Sequence, residues 1–87
     1  MTLFTSPDVL AAHLSGEAVL LNLADKSYYR LNETAALVWA GFEKGESTEK
    51  ILATLLSTYA VSEEDARKEV DAVITDMRAK KLLIEDS

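Results

Sequence analysis

The residues able to do chemistry are few and scattered. His13 is the only histidine, and Ser15 follows two positions later, on the same face if the segment is a strand. Nucleophilic or general acid–base catalysis needs a base held against its nucleophile and oriented by a third group, and the sequence offers no such group beside them. Carboxylates are abundant, but Glu63, Glu64 and Asp65 fall where a helix would begin, and Glu85-Asp86 sit in a polar tail. Gly16, Gly41 and Gly45 are too dispersed for a phosphate-cradling loop. With no cysteine there is no thiolate metal site and no disulfide. The expectation is a binding protein that is not an enzyme and uses neither metal nor cofactor.

Charge narrows the partner. The 87-residue chain carries a formal charge of −6. Nucleic-acid affinity rests on clustered Lys and Arg that neutralise phosphates. The densest basic group, Arg78, Lys80 and Lys81, lies where a helix C-terminus would attract it anyway. Neither nucleic acid nor membrane is expected as a partner, since the N-terminus lacks a signal-peptide pattern and no apolar run has the length of a span. A cytoplasmic protein is expected.

The elements that position the candidates follow from periodicity. Residues 1–87 read as a single domain that buries roughly 60–65% of the surface its unfolded chain exposes. Val9 to Leu14, a turn at Ser15-Gly16-Glu17, and Ala18 to Leu23 make a hairpin. A second turn at Ala24-Asp25-Lys26 leads into a Ser27 to Leu31 strand. Asn32 then caps a helix from Glu33 with Ala35, Val38, Trp39 and Phe42 on one stripe. Ser47 caps a second helix carrying Ile51, Leu52, Leu55, Leu56 and Tyr59. Ser62 caps a third carrying Ala66, Val70, Val73, Ile74 and Met77, and Leu82-Leu83-Ile84 ends the chain as an apolar tail. The fold class is α+β and winged-helix-like: a three-stranded antiparallel sheet followed by three helices. The third helix interleaves six carboxylates with its basic residues, so a winged-helix DNA-binding regulator stands only as a lesser alternative that lacks the basic face it needs.

Strand, cap and helix adjoin almost without a loop at Ser27-Tyr28-Tyr29-Arg30-Leu31-Asn32-Glu33-Thr34-Ala35-Ala36. Alternation places Tyr28 and Arg30 on one face, and Tyr29 and Leu31 on the other. With Val19 to Leu23 before it, and Trp39, an Ile51-Leu52 helix and Leu82-Leu83-Ile84 after it, this stretch resembles the PqqD family over roughly Leu3 to Ile84. These are the leader-peptide recognition elements of pathways that modify ribosomally made peptides. The resemblance implies a winged-helix-like fold without catalytic residues, holding a precursor's leader segment as an added strand between the Ser27–Leu31 strand and the third helix. It further implies presentation of the leader to a lasso-pathway leader peptidase and cyclase or, as the alternative, to a radical SAM enzyme as in pyrroloquinoline quinone synthesis.

Strand addition supplies main-chain bonds for affinity and side-chain pockets for specificity. The expected site is therefore Lys26, Ser27, Tyr28, Tyr29, Arg30 and Leu31 on the strand, with Val70, Val73, Ile74, Met77 and Arg78 on the third helix. Tyr28 and Arg30 are assigned to the pocket face, and the side chains of Tyr29, Leu31 and Trp39 mainly to the core. Spacing leaves open which of Val70, Ile74 and Met77 are pocket and which are core. The free strand edge would also serve a homodimer.

Overall fold

Turn chemistry shapes the first half of the chain. In the computed structural model, which describes residues 2–86, β1 (Thr2–Thr5) precedes β2 (Val9–Leu14) and β3 (Glu17–Asn22). β2 and β3 pair antiparallel with Leu14 opposite Glu17, leaving a two-residue loop that closes through a positive φ of 73° at Gly16. Four residues then separate β3 from β4 (Ser27–Leu31). That turn uses a positive φ at Lys26, whose N–H donates to Asn22 O at 2.8 Å, while the Asn22 side chain accepts from Ala24 N–H at 2.9 Å. The sheet order is β2-β3-β4, so β2 and β4 are its two edges.

The helical half follows its caps. Asn32, Ser47 and Ser62 each accept a backbone N–H three residues on, opening α1 (Glu33–Glu43), α2 (Thr48–Thr58) and α3 (Glu63–Ala79). β5 (Leu83–Asp86) ends the described chain. The three expected strands and three expected helices are all present, and each helix opens at its expected cap. β1 was not expected; it pairs antiparallel with β5 as a separate two-stranded sheet, which turns the apolar tail into a strand.

One core joins these layers. Leu20 and Leu31 from the sheet, Val38, Trp39 and Phe42 from α1, Ile51, Leu52 and Leu55 from α2, Ala66, Val70 and Met77 from α3, and Leu82 and Leu83 are buried together. Val73 and Ile74 are only half-buried against it, because the α3 stripe is wider than the surface it packs on. α1 and α2 approach closely at Gly41, where a Cβ would collide with the Ile51 side chain. Gly41→Ala should therefore cost about 1–2 kcal/mol in denaturant unfolding, since overpacking outweighs the gain in helix propensity.

Candidate functional site

The open edge of β4 is defined by which way its peptide groups point. Leu23 N–H donates to Asp8 O at 2.8 Å, so the odd-numbered residues of β3 direct their main chain to β2 and the even-numbered ones to β4. The register Ala18 to Leu31, Leu20 to Tyr29 and Asn22 to Ser27 then engages the main chain of Ser27, Tyr29 and Leu31 with β3. Tyr28 and Arg30 consequently turn their N–H and C=O groups to the open edge.

Their side chains go elsewhere. Tyr28 is 72% exposed, and Arg30 reaches Glu17 at 3.2 Å across the outer face of the sheet. Tyr29 and Leu31 point to the inner face, where Leu31 is buried and Tyr29 half-buried. The expectation that the Tyr28 and Arg30 side chains line the pocket is thus corrected: their main chain borders it and their side chains point away, as strand alternation requires once Leu31 is in the core.

Between this edge and α3 runs a groove of about 470 Å³. Tyr29, Leu31, Ala35 and Met77 form its apolar part, and Glu69, Ala72, Val73, Asp76 and Lys80 its α3 wall. Lys80 crosses one end: its Nζ is 5.1 Å from the centre of the Tyr29 ring and 2.8 Å from Asp76 Oδ2. A cation over an aromatic face holds the Tyr29 ring against the helix. The site can therefore offer unpaired main-chain groups on one side and a mixed apolar and charged wall on the other.

Of the residues expected from sequence, the structure gathers Tyr28, Tyr29, Arg30, Leu31, Val73 and Met77 around the groove. Lys26 lies in the turn before it and Ser27 begins the strand. Three expected α3 residues stand apart. Val70 is 1% exposed within the core, Ile74 packs half-buried against the core outside the groove, and Arg78 faces away to pair with Glu85 at 3.1 Å. Sequence reasoning missed Asn32, Ala35, Glu69, Ala72, Asp76, Lys80 and Leu82. On α3 spacing alone carried no signal for them, because Glu69, Asp76 and Lys80 read as the ordinary polar flank of the apolar stripe that Val73 belongs to.

The turn feeding β4 is pinned by Asp25, whose Oδ1 accepts from Ser27 N–H at 2.9 Å. That bond, with one from the Ser27 hydroxyl, holds the Asp25 carboxyl below its ordinary pKa. A lowered carboxylate pKa supports the turn above the ordinary value and loses that support as pH falls through the lowered one. The Ser27 amide resonance should therefore shift on acidification below the usual carboxylate range, which an NMR titration reads.

Elsewhere, His13 Nε2 lies 2.8 Å from Glu43 Oε1 on the exposed surface. Partial burial and the Glu33 carboxylate, which accepts from the Tyr59 hydroxyl at 3.3 Å, hold the Tyr59 phenol above its ordinary pKa. Among the described residues there is no cluster of His, Cys, Asp or Glu fit to hold a metal, and no helix long and apolar enough to cross a membrane.

Solved structures share this architecture. The chain superposes on TbiB1 from its complex with the TbiA(beta) leader peptide with a TM-score of 0.90 and 25% identity, covering 97% of this chain and 98% of that one. It superposes on lasso peptide synthetase B1, complexed with the leader peptide, with a TM-score of 0.86 and 26% identity, covering 98% and 100%. No curated protein sequence matches significantly. The family model of coenzyme PQQ synthesis protein D (PqqD) matches residues 17–83, from the first residue of β3 to the first of β5, so the chain belongs to the PqqD family.

Proposed function

We propose that this protein is a peptide-binding module with no catalysis of its own, which captures the leader segment of a ribosomally made precursor as a strand added to β4 and presents it to the leader peptidase and cyclase of a lasso-peptide pathway in the cytoplasm. The observation that carries the reading is the open β4 edge facing the α3 wall: Tyr28 and Arg30 supply unpaired main-chain donors and acceptors, and Tyr29, Val73 and Met77 supply apolar contact. The likeness to two chains solved with leader peptides supports the same reading. Met77, flexible and polarizable, suits a floor that accommodates more than one side chain.

Titration of a labelled lasso-precursor leader peptide should give a dissociation constant near micromolar or below, on the order of −8 kcal/mol, as for a disordered segment that orders on binding. Amide exchange should slow at Tyr28 and Arg30 in the complex. Binding that followed the core peptide instead, or protection confined to α1 and β5, would remove the proposal.

The family model's own description, coenzyme PQQ synthesis, favours a second reading in which the peptide is handed to a radical SAM enzyme. Which enzyme co-purifies with the protein and its leader decides between the two. With the peptide on β4, a homodimer formed by strand pairing would need another edge, and β2 is the other edge of the same sheet.

A further inference from the structure

Beyond the groove, α3 continues toward its N-terminus past a second depression. It measures about 250 Å³ and lies between the end of α2 and the start of α3, with Leu55, Tyr59, Val61 and Ala66 as its apolar lining. Glu69 borders both it and the groove, and the first turn of α1 bounds both, through Asn32 and Ala35 on one side and Thr34 on the other. The two hollows are therefore consecutive along α3. Val61, in the loop between the helices, is 46% exposed, and no described segment of the chain covers it.

Size, distance and charge each restrict what fits. Sites for whole small molecules usually exceed about 300 Å³, so this hollow suits a single side chain. The groove wall from Glu69 to Lys80 is about 16 Å long at 1.5 Å per helical residue, which matches a strand of about five residues. Asp65 lies one turn further on, about 6 Å, or about two more residues of extended chain. Among the described residues neither Asp65 nor Glu69 is in an ion pair, so the rim of the hollow carries two free carboxylates.

Resting on the peptide-binding reading above, we propose that this depression is a second subsite on the same peptide: it takes an apolar or aromatic side chain about two or three residues outside the strand-paired stretch, next to a Lys or Arg that meets Asp65 and Glu69. The groove then supplies main-chain pairing that tolerates many sequences, and the hollow supplies the choice among them.

The probe is a twelve-residue peptide selected from a displayed random library on the immobilised wild-type protein, together with a copy trimmed to the strand-paired residues. Each is titrated against wild type, Val61→Asp and Arg30→Pro, with melting curves to show that the variants are folded. The expected result is that the full peptide binds wild type at least tenfold more tightly than the trimmed one, and that Val61→Asp removes this difference without changing the trimmed peptide's affinity. Asp65→Asn should flatten the salt dependence of the full peptide alone. Equal binding of both peptides, with Val61→Asp silent and Arg30→Pro abolishing both, would overturn the subsite while leaving the groove intact. Arg30→Pro without effect on either peptide would overturn the groove reading and the subsite with it.

Discussion

Arg30→Pro should leave the melting curve close to native and weaken peptide binding by at least tenfold. The Arg30 N–H points to the open edge of β4 and bonds nothing within the sheet, so proline removes no ladder hydrogen bond. Its fixed φ near −65° lies at the border of the β region, which an edge strand accommodates. An incoming strand, however, loses a donor worth about 1 kcal/mol net and meets the pyrrolidine ring where it must approach to hydrogen-bonding distance. Two comparisons isolate the effect. Arg30→Ala keeps the N–H and sacrifices only the exposed pair with Glu17, worth about 0–1 kcal/mol, so it should change binding little. Tyr29→Pro strikes the N–H that faces β3 and should destabilise the sheet itself. Calorimetric titration beside thermal melts reads all three, and normal binding by Arg30→Pro would show that the peptide does not pair here.

Trp39→Ala should cost about 3–5 kcal/mol, a large share of the roughly 5–15 kcal/mol that holds such domains folded, and peptide binding should disappear with the fold. The ring is 1% exposed at the centre of the core and does not border the groove. Its Nε1 is buried without a hydrogen-bond partner among the described residues. An orphaned donor of this kind costs about 1–3 kcal/mol, so Trp39→Phe, which discards the donor along with part of the ring, should be far milder than Trp39→Ala. Denaturant melts of the two variants test the pair. A Trp39→Ala protein that melts normally yet fails to bind would place the indole in the site.

What could be read from the sequence was local. Asn32, Ser47 and Ser62 announce their helices because a cap acts over three residues, and Gly16 announces its hairpin because two residues close it. The division of α3 was not legible, because Val70 and Val73 are equally apolar and only the position of β4 and α1 decides that one is core and the other wall. Lys80 carried no sign of its place over Tyr29, since a lysine after a helix is explained by the dipole alone. The alternation of Tyr28 and Tyr29 separated their faces, but which main-chain groups stay free depends on the pairing with β3, a fact of register. β1 was missed for the same reason: its partner lies at the far end of the sequence, and four residues hold too little pattern to announce a strand alone.

The β1–β5 ladder sets Thr2 opposite Asp86, so the chain enters and leaves the domain at one spot, on a sheet separate from the one that carries the groove. A module tied off in this way can be spliced into a surface loop of another protein, or rejoined head to tail and reopened at the exposed Gly45 turn, with little strain on β4 or α3. Grafted so, it would carry its recognition to whatever catalytic body hosts it, held by a two-strand stem instead of a flexible tether, and so at a fixed distance and angle from the host's chemistry.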